Sequence, residues 1–180
     1  MTANARDRLV LDAEEGVVPE IGRWLAAMED ARRDTLAKLE GITSDVVDAR
    51  PPGSENSIGT SLYHVAIIEA DWLFDDLFGR PLETTELAPL FPYDVRDERG
   101  ILQGVFGVGL EDHLDRLAQV RAMLRREIGA WSLDDVLAVR ARDGYDVSGA
   151  WVVHHPLQHE AEHRSEIGWL RRHAEGAVMA

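Results

Sequence analysis

The sequence predicts an all-α fold, a four-helix bundle. Four long stretches repeat apolar residues at helical spacing, turn-rich segments separate them, and no stretch shows the period-two alternation of a half-buried strand. Neither an internal repeat nor a low-complexity linker divides the chain. Its 180 residues are therefore expected to form one domain, residues 1–180, long enough to bury a core of ordinary size.

The first helix is expected from Val17 to Glu40. Pro19 stands where a first-turn proline is tolerated, Gly41 marks the stop, and Ile21, Trp24, Met28, Ala31 and Leu39 form the apolar stripe. Pro51, Pro52 and Gly53 keep the next segment out of a helix. The second helix is expected to begin after Ser57 as N-cap and to end at Gly79, before Pro81. Its stripe is Ile58, Leu62, Val65, Ile68 and Trp72, with His64 beside it.

A polar connection containing prolines runs from Arg80 to about Arg99. The apolar, glycine-rich ILQGVFGVG that follows reads either as a fraying helix start or as a flap over a pocket. The third helix is expected over Leu110 to Ile128, with Leu114, Leu117, Val120 and Leu124 on its apolar face. Asp143-Gly144 signals a turn that two short strands could flank. The last helix is expected from Ser148 to about His173. Pro156 falls inside it, so the helix either bends before its histidines or starts later.

Composition narrows the function. The chain has no cysteine, which excludes disulfides, thiolate ligands and a cysteine nucleophile; a metal must be held by His, Asp or Glu. A formal charge of −14 argues against nucleic acid, whose phosphates are bound by clustered Lys and Arg. No run approaches the roughly 20 apolar residues of a membrane span. The stretch MTANARDRLVLDAEEG has no apolar h-region or small-residue cleavage site, so no signal peptide is expected and the cytoplasm is the expected location.

The chemistry is concentrated in HHPLQHEAEHRSEI of the last helix. His155, His159 and His163 are spaced i, i+4, i+8 and project from one side, on a stripe continued by Val152, Pro156, Ile167 and Leu170. Two imidazoles one turn apart can converge on one divalent ion at about 2.0–2.1 Å. One helix supplies a third ligand poorly, and the second helix offers His64. Three histidines leave coordination positions open, as a catalytic site requires. His155 reads as a neighbour of the ion or a wall of its pocket, His113 and His173 as solvated surface, and His154 as near the site only in sequence.

HEAEH, from His159 to His163, also matches the HExxH string of zinc proteases, in which Glu160 would be the general base. The context argues against a protease. Glu166 and Trp169 stand where the elongated form needs glycine and histidine, a distant glutamate ligand is not expected beyond Glu175, and no edge strand is evident to hold a peptide. Glu160 is the one weak catalytic candidate, orienting a ligand or serving as base; its plainer reading is a solvated carboxylate.

NSIGTSLYHVAIIEADWL together with GAWVVHHPLQHEAEHRSEIGWLRR resembles the DinB-like superfamily of metal-binding four-helix bundles. That family shows a histidine, an acidic residue and a tryptophan in its second helix, matched by His64, Glu69 and Trp72. Its fourth helix reads H-x3-H-x3-HR-small-x-I, matched by His155, His159, His163, Arg164, Ser165 and Ile167; GLEDHLDRL is also similar. The resemblance implies one divalent metal, nickel or zinc, on His64, His159 and His163, and frequent homodimers. It further implies activities that include thiol-dependent S-transfer and isomerisation with mycothiol, bacillithiol or glutathione, and hydrolysis. The expected function is a metal-dependent, thiol-dependent S-transferase acting on a small molecule. Its alternatives are a metal-dependent hydrolase of a small ester or amide, and a metal- or ligand-binding bundle without turnover.

Overall fold

A computed structural model describes residues 9–13 and 15–178. The stretch read above for a signal peptide lies largely outside them. Four long helices make the body: α1 Pro19–Ala37, α3 Ile58–Asp71, α4 Leu110–Ile128 and α6 Gly149–Val178. Two short helices, α2 Ser44–Asp48 and α5 Leu133–Leu137, and one antiparallel hairpin, β1 Val139–Arg142 with β2 Tyr145–Ser148, complete the regular structure. The fold is all-α, as expected. α3 packs against both α4 and α6, and α1 packs against α6. Among the described residues no helix is long and apolar enough to cross a membrane.

Local chemistry sets the boundaries. Pro19 opens α1. The helix stops at Ala37, short of the expected Glu40, because the chain turns there and Gly41 follows at φ +73°. Ser57 caps α3, its hydroxyl accepting from the Thr60 N–H at 3.1 Å. From Trp72 to Leu77 the helix widens into a π-helical turn, and Gly79 ends it at φ +61°. Ser132 and Asp135 form a reciprocal capping box that starts α5, a helix the apolar pattern did not reveal.

The segment ILQGVFGVG is not a helix start. Val105 is fully buried and its N–H donates to Thr60 Oγ1 at 3.1 Å, while the Gly107 N–H donates to Asp48 Oδ2 at 2.8 Å. Nor does α6 start late: it begins at Gly149 and runs through Pro156, the buried ring standing where the helix loses one N–H. The core joins all four long helices, with Leu25 and Met28, Leu62 and Leu73, Leu117 and Leu124, and Ile167 and Leu170 at 2% exposure or less.

Candidate metal centre

His64 projects from the middle of α3 and is buried, 6% exposed. His159 and His163, one turn apart on α6, meet it across the interface. Ring centroids are 4.8 Å apart for His64 and His159, 5.0 Å for His64 and His163, and 4.5 Å for His159 and His163. One nitrogen from each ring lies within 4.8 Å of the others, and the three side chains could hold a metal ion. His64 Nε2 and His159 Nε2 are 3.1 Å apart. Two nitrogens bound to one tetrahedral ion at 2.0–2.1 Å stand roughly 3.3 Å apart; the pair is close to that spacing, which is also that of a hydrogen bond between the two rings.

The electrostatics suit the same use. Burial, then the nearby His163 and Arg96, pushes the His64 imidazole down to about 4. Burial, then His163 and His64, pushes His159 down to about 3. Both are neutral at pH 7, with a lone pair to offer a cation. His64 Nδ1 is buried without a hydrogen-bond partner, as are His113 Nε2 and Asp48 Oδ1 away from the cluster.

Glu166 fixes the third ring. Its Oε2 lies 2.7 Å from His163 Nδ1, its Oε1 accepts from Asn56 Nδ2 at 2.7 Å, and Ser61 Oγ donates to Oε2 at 3.4 Å. The hydrogen bond from His163, followed by those from Asn56 and Ser61, holds the Glu166 carboxyl below its usual value despite burial. A carboxylate accepting from Nδ1 assigns the proton to that atom and leaves Nε2 as the donor of electrons, the arrangement that orients histidine ligands. The sequence reading missed this role; the available signal was an acidic residue three positions beyond a candidate ligand, hence one turn along the same face.

The other histidines divide. His155 stays outside the three-ring group and forms a wall beside it, 4.5 Å from the Trp72 ring and 5.9 Å from His159, nearly parallel to the latter. His154 faces away, edge-on to Trp24 at 5.8 Å. His173 is exposed and stacks on Trp169, as expected of surface. His113 corrects the reading: it is 1% exposed, not solvated. Position 113 of α4 faces Gly59 of α3, whose missing side chain leaves room for the ring; a Cβ there would meet Nε2 at 3.0 Å. Arg116 Nη1 donates to His113 Nδ1 at 3.0 Å.

Glu160 is a second correction. It is neither a solvated carboxylate nor free to serve as a base: it is fully buried, with both oxygens taken by guanidinium groups. Each long helix contributes one charge to a buried quartet, which Glu29 of α1 joins at its edge, 3.5 Å from Arg121 Nη1. Arg32 Nε donates to Glu160 Oε1 at 2.6 Å and Arg32 Nη2 to Glu69 Oε2 at 3.0 Å. Arg121 Nε donates to Glu69 Oε1 at 2.6 Å and Arg121 Nη2 to Glu160 Oε2 at 3.1 Å. Burial alone would raise the Glu69 carboxyl; Arg121 and Arg32 hold it below its usual value. The 100° step from His159 to Glu160 turns the carboxylate off the histidine face toward α1 and α4.

Comparison with known proteins agrees with this architecture. A crystal structure described as the conserved protein of a locus from Enterococcus faecalis superposes with a TM-score of 0.68 at 14% identity, over 85% of this chain and 95% of that one, a likeness of fold. No curated protein matches the chain. The sequence profile of the DinB superfamily matches residues 27–167, a span that holds all three clustered histidines and most of the bundle. The chain belongs to the DinB superfamily.

Proposed function

We propose that this chain is a metal-dependent enzyme that binds one divalent ion, nickel or zinc, on His64, His159 and His163 and transfers a low-molecular-weight thiol onto a small molecule. The observation that carries the reading is the convergence of imidazoles from two helices, with the His64 and His159 nitrogens already 3.1 Å apart. When bound, the ion would supply Lewis acidity, lowering the pKa of a water or of an incoming thiol.

The chain's own groups favour a thiol over water. Of the bases that hydrolysis asks for, the two glutamates of the histidine segment are not free to take a proton. Glu160 is committed to Arg32 and Arg121, and Glu166 to His163 and Asn56. A thiol titrates near 8–9 and needs less help from a protein base. With no cysteine in the chain, that thiol comes with a cosubstrate. His155, tilted against Trp72 and stacked on Trp151, would shield one side of the site. A homodimer, which rests on the family alone, and the cytoplasmic location expected from the sequence complete the proposal.

The test is turnover of electrophilic small molecules by metal-loaded protein, with and without added glutathione. Turnover that requires the thiol supports the transferase. Turnover of small esters or amides without it replaces the transferase with a hydrolase. Retained metal with no turnover in either arm leaves a binding bundle and contradicts the enzyme.

A further inference from the structure

A cavity of about 710 Å³ lies between the loop around residues 50–55 and the segment around residues 97–106. It is large enough for a small organic ligand. Its position links it to the three histidines. Ser54 and Glu55 on one wall lead directly into Asn56, whose amide holds Glu166 and through it His163.

The charges in this cavity are unevenly matched. Arg99 faces two carboxylates, Asp97 at 3.0 Å and Glu55 at 3.7 Å, and is neutralised by them. Arg50 has no carboxylate partner among the described residues. Its guanidinium lies over an aromatic ring, Phe106, at 5.0 Å from the centroid. Stacking occupies the face of a guanidinium and leaves the N–H groups along its edge free, the fork that a carboxylate accepts in two parallel bonds. Phe106 is 43% exposed, an apolar ring held open to solvent beside that fork. Gln103 adds a neutral amide to the same cavity. A single guanidinium matches a singly charged carboxylate better than a phosphate, which draws several donors and more than one cation.

We propose that this cavity binds a small carboxylate with a flat apolar body, its carboxylate on Arg50 and its body against Phe106. The proposal names the substrate class of the reaction proposed above and rests on that reading for its link to catalysis; the binding itself does not. Arg50 would be the residue that sets specificity by selecting the anion.

The experiment is a titration of the intact protein with benzoate and with benzamide, its neutral counterpart, followed by amide NMR shifts. Metal content is measured in parallel. Benzoate should shift signals from residues 50–55 and 101–106 at a concentration where benzamide does not. Arg50→Gln should weaken benzoate binding at least about tenfold, the scale of one charge-assisted pair, and bring the two compounds level. Arg50→Lys, which keeps charge but loses the fork, should fall between. Equal binding of the two compounds, shifts confined to other regions, no shift at all, or an unchanged affinity in Arg50→Gln each overturn the proposal. Metal content should be the same in wild type and Arg50→Gln. Protein that binds benzoate through Arg50 yet takes up no metal would sink the metal reading alone.

Discussion

The Glu160 carboxylate is clasped by Arg32, whose Nε stands 2.6 Å from Oε1 while both side chains are under 10% exposed. Removing one partner of such a buried pair leaves the other charge uncompensated. Glu160→Ala should therefore cost about 3–5 kcal/mol of stability, read by denaturant unfolding. A variant of unchanged stability that has lost turnover would return Glu160 to the reaction as a base.

Glu166→Ala should weaken metal binding by 10- to 100-fold, the scale for a carboxylate that orients a ligating histidine. Glu166→Gln keeps an acceptor for His163 Nδ1 and should lose less. Equilibrium metal titration reads both. Unchanged affinity in the alanine variant would make the 2.7 Å contact a packing detail.

Acid should destabilise the metal-free protein in a defined window. His64 and His113 titrate at about 4 and His159 at about 3, each lowered first by burial, against 6.5 for an ordinary imidazole. Below pH 6.5 the unfolded chain binds protons that the folded one refuses, so this stability is full above 6.5 and is lost as pH falls toward the folded values. The slope should reach up to about 1.4 kcal/mol per pH unit for each group. Denaturant midpoints between pH 7 and pH 4.5 measure it. His113→Gln should flatten the profile without touching the three clustered histidines; an identical slope would mean that His113 is solvated after all.

A chelator should lower the melting temperature of metal-loaded protein but leave it folded, because the four long helices bury an apolar core that does not depend on the ion. Calorimetry with and without chelator is the measurement. Outright unfolding on chelation would make the site structural.

The sequence made the site legible where one period governed it. His159 and His163 share a helix face, and His64 lies beside an apolar stripe, so pattern alone brought them inward. Charged groups at core positions escaped, because hydropathy reads a charge as surface. Arg32 follows Met28 by one turn and Arg121 follows Leu117 by one turn; two such positive charges and two negative ones, on four helices, cancel only when the helices meet. His113 was misread for the same kind of reason: its pocket is made by Gly59 of another helix. α5 escaped as well, since one capped turn carries no period.

The most direct measurement is a crystal structure of metal-loaded protein with anomalous data at the metal edge. The account predicts one ion per chain, bonded to nitrogens of His64, His159 and His163 at about 2.0–2.2 Å, with Glu166 still on His163 Nδ1. An ion bound elsewhere, or one held by the two α6 histidines while His64 turns away, would contradict it.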